Sequence, residues 1–106
     1  MLKVVHCKSS EFLNAPDDEK VYIGRGSIWG NPFRVGVEAE NRRTAIEMYR
    51  KYIMNRPDLL ALLGNLRGKM LGCFCHPKPC HGNVLAELVR ERFSEDEKIF
   101  KNATGN

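Results

Sequence analysis

No run of this chain comes near the roughly 20 consecutive apolar residues that a membrane span requires. No block of like charge reads as a nucleic-acid arm, and basic and acidic residues are interspersed along the chain. Internal repeats and low-complexity segments are missing too, which removes solenoid and tandem-repeat architectures. There is no G-K-[ST], so the one glycine-rich stretch is not a P-loop. The opening residues "MLKVVHCKSSEF" hold two lysines and only a short apolar stretch. A secretory signal needs a longer apolar region and a small-residue cleavage site. The expectation is therefore a cytoplasmic chain with reduced thiols and no membrane partner, in which the "NAT" sequon at Asn102 has no role.

What is present describes one domain. A chain of 106 residues can bury a modest core, and 42% hydrophobic with 28% charged residues is an ordinary globular composition. The net charge of +4 leans towards an anionic partner, either a phosphate-bearing small molecule or nucleic acid. The final "KNATGN" reads as a frayed end, giving a domain over 1–95 and a tail over 96–106.

The apolar, β-branched "LKVVHC" (2–7) predicts a buried strand, followed by a loop through "KSSEFLNAPDDEK". "VYIG" (21–24) predicts a second strand, and "RVGV" a few extended residues. From Asn41 the period changes. Ala45, Ile46, Tyr49, Tyr52 and Ile53 share one helical face, and the helix should end before Pro57. "PDLLALLGN" predicts a short helix with proline in its first turn. "KMLGCFC" (69–75) is an uninterrupted apolar strand, and "GNVLAELVRERF" (82–93) an amphipathic helix. The order β-β-α-α-β-α favours an α/β layered domain with a short, at least partly parallel sheet flanked by helices. If the second and third strands are parallel, "GRGSIWGNPF" and "HPKPCHG" both leave the carboxyl edge of the sheet. Open α/β sheets bind their ligands at that edge.

The stretch "LGCFCHPKPCHG" (71–82) holds three of the four cysteines and two of the three histidines. Three readings of it stay open. Cys73 and Cys75 point to one strand face, and with Cys80 and His81 (or His76) they could enclose zinc. Cys80 precedes a helix whose N-terminus would depress a thiol pKa, with His81 as neighbouring base; this makes Cys80 and His81 the catalytic candidates. The backbone N–H groups of Gly82 and Asn83 could instead cradle a phosphate. Against all three, reduced cysteines on an apolar strand often serve simply as small core residues.

In the other loop Gly24, Gly26 and Gly30 permit unusual backbone, and Asn31 can brace a turn. Arg25 and Ser27 offer contacts to phosphate. Trp29 either stacks on a base or fills the core, and its large area favours the core. The candidate ligand-binding set is Gly24, Arg25, Ser27, Trp29, Asn31, Gly82 and Asn83.

The paired blocks G-R-x-S-x-W-G-N-P-F and C-x-C-x-P-x-P-C-H-G resemble those of an uncharacterised bacterial and phage family, domain of unknown function 4326, over about residues 4–89. That resemblance implies a small α/β domain, a phage or mobile-element context, and no particular reaction. The leading expectation is a pocket between the two loops for a nucleotide-like or phosphate-bearing ligand, with transfer or hydrolysis at a nucleotide as the chemistry. The rival is a zinc-stabilised module that binds nucleic acid or protein. An inhibitor acting by surface contact alone is the third.

Overall fold

The computed structural model describes the backbone of residues 2–105 and the side chains of residues 2–93. Three strands, β1 (Lys3–His6), β2 (Lys20–Tyr22) and β3 (Met70–Cys73), form one sheet in the order β1-β3-β2. Both pairings are parallel. Leu71 stands opposite Val4 on one side and Val21 on the other, so β3 is the central strand. That position explains its unbroken apolar sequence, because strands covered on both faces do not alternate.

Side chains of β3 alternate between two layers. Leu71 and Cys73 enter the main core with Ile23, Trp29, Tyr49, Ile53, Leu85 and Leu88. On the other face Val5, Cys7 and Phe12 form a small second cluster backed by Met70. Gly72 faces this cluster, and a Cβ there would lie 2.4 Å from the Phe12 ring, so the absence of a side chain lets that ring lie on the sheet.

The main core is covered by α2 (Arg42–Met54) and α4 (His81–Gly105), with the short α3 (Pro57–Leu60) between α2 and β3. Asn41 caps α2, its side chain accepting a hydrogen bond from the Thr44 N–H, and Pro57 opens α3. The Arg50–Glu87 ion pair joins α2 to α4 at the surface.

Several boundaries differ from expectation. The segment after β1, read as a loop, contains a five-residue helix, α1 (Ser10–Asn14), capped by Ser9. Five residues are too few to display a helical period, and a serine cap before a short turn is a quiet signal. Ile23 and Gly24 lie beyond the end of β2. "RVGV" makes a tight turn at Gly36 (φ 87°) with an isolated Val35–Ala39 bridge in place of a strand. The helical backbone of α4 continues through most of 96–106, whose side chains lie outside the described residues, as does the frayed character expected of that tail. Among the described residues no helix is long and apolar enough to cross a membrane.

Leu71 has no exposed surface at the centre of the sheet. Leu71→Ala is expected to lower unfolding free energy by about 2–5 kcal/mol, the range for a buried leucine truncation. Urea unfolding of the two proteins side by side measures this.

Candidate functional site

Because β2 and β3 run parallel, the loops that follow them leave the same end of the sheet, and they meet across a cleft. The cleft has a volume of about 680 Å³, within the size range of small-molecule sites. Gly24, Arg25 and Asn31 line it from one loop, Cys75, Cys80 and His81 from the other. The start of α2 supplies a third wall through Arg42, Ala45 and Ile46.

The first loop is held from within. Ser27 Oγ donates to the Gly24 carbonyl (2.7 Å), and the Tyr22 hydroxyl donates to the Arg25 carbonyl (3.0 Å). Gly30 packs so closely that a Cβ would lie 2.8 Å from the Gly24 oxygen, which closes the loop on itself. Asn31 clamps this loop to α2. Its side-chain N–H donates to the Ala45 carbonyl (3.2 Å) while its oxygen accepts from the Phe33 N–H (2.9 Å).

The second loop is organised by sulfur. Cys73 Sγ and Cys80 Sγ lie 3.2 Å apart, both buried and both free thiols. Cys80 directly precedes α4 and caps it: its sulfur accepts from the Gly82 N–H (3.3 Å), while Asn83 Oδ1 accepts from the Cys80 N–H (2.9 Å). This is half of a capping box, with Asn83 reaching back to the Cys80 N–H while the Cys80 sulfur takes the Gly82 N–H one residue earlier. Arg42 Nη1 reaches the Pro79 carbonyl at 3.4 Å and ties the loop to α2.

Charge in the sulfur pair falls on Cys73. The hydrogen bond from Cys80, together with the His76 and Cys75 N–H groups, holds its pKa well below the usual thiol value. The same sulfur bond and burial push Cys80 upward. This reverses the expectation that the helix start would make Cys80 the acidic thiol. Cys73 gathers more donors, and two adjacent sulfurs in one buried site do not both ionise.

His81 is buried, with Nε2 2.6 Å from the Ile23 carbonyl and its ring edge-on to Tyr49 at 5.0 Å. A carbonyl only accepts, so Nε2 carries the proton and donates it. Burial, aided by the nearby Arg25 charge, pushes the imidazole pKa down and keeps it neutral. Tyr49 donates its hydroxyl to the Trp29 carbonyl (2.7 Å), and burial keeps that hydroxyl protonated.

The structure therefore brings Gly24, Arg25, Asn31, Cys75, Cys80 and His81 to one cleft, and it places the other expected residues elsewhere. Trp29 is buried in the main core and does not line the cleft, as its area led one to expect. Ser27 borders a smaller recess with Arg25 and Arg34. The phosphate cradle expected at Gly82 and Asn83 does not form, because the Gly82 N–H is spent on Cys80 Sγ and the Asn83 N–H on the Cys80 carbonyl. Cys80 bonds to Cys73 and not to His81, so the expected cysteine–histidine couple is not assembled either. The zinc site expected at Cys73, Cys75, Cys80 and His81 is not assembled, although the Nε2 bond to the Ile23 carbonyl leaves the His81 Nδ1 uncommitted by that contact. Among the described residues no three of His, Cys, Asp and Glu gather as a metal ion needs.

Other cleft residues escaped the sequence reading. Arg34 and Arg42 add two cations to Arg25, and Tyr22, Phe33 and Phe74 add aromatic surface, with no carboxylate on the lining among the described residues. Arg42 sits next to Arg43 on a polar helix start, and only the position of α2 against the second loop distinguishes the two.

A family model described as "Domain of unknown function (DUF4326)" matches residues 5–91, which include both loops and the cap of α4. The chain belongs to this family. A phage T4 protein described as "Uncharacterized 12.4 kDa protein in nrdA-td intergenic region" is 42% identical over 86 residues, covering 77% of this chain and 78% of that protein. No solved structure matches this DUF4326 chain.

The depressed His81 pKa has a stability consequence. Below the unfolded value near 6.5 the unfolded chain takes up a proton that the folded chain refuses, so the His81 contribution is complete above about pH 6.5 and is lost as pH falls towards the folded value. His81→Gln, which keeps an N–H for the Ile23 carbonyl, is expected to flatten the slope of stability between pH 7.5 and 5.5. Denaturant midpoints of both proteins across that window measure it; parallel slopes would show that the histidine titrates normally.

Proposed function

We propose that this protein binds a nucleotide-like, phosphate-bearing ligand in the cleft between the Gly24–Asn31 loop and the cysteine loop. The observation that carries the reading is the lining itself: Arg25, Arg34 and Arg42 all line the cleft, with no acidic side chain on that lining among the described residues. Guanidinium groups recognise phosphate oxygens through paired N–H donors, and these three side chains are exposed to an incoming ligand. Tyr22, Phe33 and Phe74 supply flat surfaces on which a base can stack. Phosphate contacts thus fall to the arginines, and the role first given to the Gly82 and Asn83 backbone passes to side chains.

If the bound ligand reacts, transfer or hydrolysis at the nucleotide is the chemistry that suits the site. Cys80 and His81 stand on the cleft wall, and with Nε2 donating to Ile23 the imidazole keeps Nδ1 as its basic nitrogen. The working environment that fits four free thiols is a cytoplasm, that of a bacterial host if the gene is phage-borne like its T4 relative.

The test is a panel of mononucleotides, nucleosides and short oligonucleotides, scored by thermal shift, calorimetry and turnover. Phosphorylated members are expected to bind, with affinity falling as salt rises. Arg25→Ala and Arg42→Ala are each expected to weaken binding roughly 10- to 100-fold, the scale of a lost charge-assisted contact. Nucleosides binding as well as nucleotides would remove the phosphate role, and no binding by any member would remove the reading.

A further inference from the structure

We propose that Cys73 and Cys80 form a peroxide-reactive dithiol, in which Cys80 takes an oxygen from hydrogen peroxide and Cys73 resolves the product to a disulfide. The proposal is independent of whatever the cleft binds.

Three features carry it. The two sulfurs lie 3.2 Å apart, so disulfide bonding requires a further approach of only about 1 Å. Each sits on a regular element, Cys73 as the last residue of β3 and Cys80 as the cap of α4, so the pair is held together by the fold rather than by chance collision. Access is one-sided. Cys80 lines the cleft and also the groove between α2 and α4, whereas Cys73 lines neither and lies behind it. A reactant hardly larger than water can reach Cys80, while Cys73 waits within bonding reach. Cys7 packs with Val5 and Phe12 in the cluster on the opposite face of the sheet.

The chemistry balances without a further reactant. With the charge on Cys73 the proton of the pair sits on Cys80, and the 3.2 Å sulfur contact gives it a direct path across to Cys73. When that proton rests on Cys73, the Cys80 thiolate attacks one peroxide oxygen; an S–O bond forms and the O–O bond breaks. The departing hydroxide takes the proton from Cys73 and becomes water. The Cys73 thiolate then attacks the Cys80 sulfur, the S–S bond forms, and the S–O bond breaks to release hydroxide, which solvent protonates. Two sulfurs lose two electrons in all, and one peroxide becomes two waters. The nearby His76 and Cys75 N–H groups lower the Cys73 pKa, which also favours it as the resolving thiolate.

The full-length chain treated with dilute hydrogen peroxide, then alkylated and digested, provides the test. The expected product is a Cys73–Cys80 cross-linked peptide, two hydrogens lighter than the reduced pair and restored by a thiol reductant. Cys75→Ser is expected to form the same link. Cys73→Ser is expected to stop at a sulfenic acid on Cys80 that dimedone captures. Peroxide products confined to Cys75, or a disulfide that uses Cys75 or Cys7, would overturn the proposal. Mapping of the unmodified sequence decides between these outcomes even if a substituted chain does not fold.

Discussion

Everything at the working end of this molecule depends on the parallel pairing of β3 with both of its neighbours. Parallel strands end together, so the segments that follow β2 and β3 emerge at one edge of the sheet. Without that pairing the Arg25 loop and the cysteine loop would lie at opposite ends of the domain. The central place of β3 adds a second condition. With hydrogen bonds on both sides it cannot slide, because a one-residue slip would turn Leu71 and Cys73 out of the core and Met70 into it. The position of the sulfur pair is thus set by the register of the whole sheet.

The start of α4 shows how one residue can satisfy several demands. Cys80 caps the helix, contacts Cys73 and forms part of the cleft wall. His81, the next residue, crosses to the Ile23 carbonyl just beyond β2 and joins the two loops across the buried side of the cleft. Asn31 does the same on the α2 side. The cleft is therefore braced at its floor and at one wall by hydrogen bonds between residues far apart in sequence, 58 and 14 positions respectively.

Much of this was legible in the sequence, and the parts that were not have physical reasons. The apolar run at 69–75, the helical period from Ala45 to Ile53 and the proline at 57 fixed the elements closely, since each is a local signal strong enough to survive tertiary context. The meeting of the two odd loops followed from topology alone. Chemistry at the atomic level did not follow. Which of two cysteines holds the charge depends on N–H groups that converge only in the folded chain, and the Gly82 and Asn83 donors looked free because their acceptors belong to the cap itself. Arg34, Arg42 and the three cleft aromatics carry no local mark, since a solvated arginine and a cleft arginine have the same neighbours in sequence. The helix at Ser10–Asn14 was hidden by its brevity.

The single tryptophan is seated behind the cleft with its backbone oxygen held by Tyr49, whose ring in turn meets His81. An indole in so apolar a setting emits at short wavelength, and only one fluorophore of its kind contributes to the signal. The protein thus carries its own optical gauge: emission from Trp29 reports the state of the wall shared by core and cleft, and disturbance of that wall can be followed without an added label.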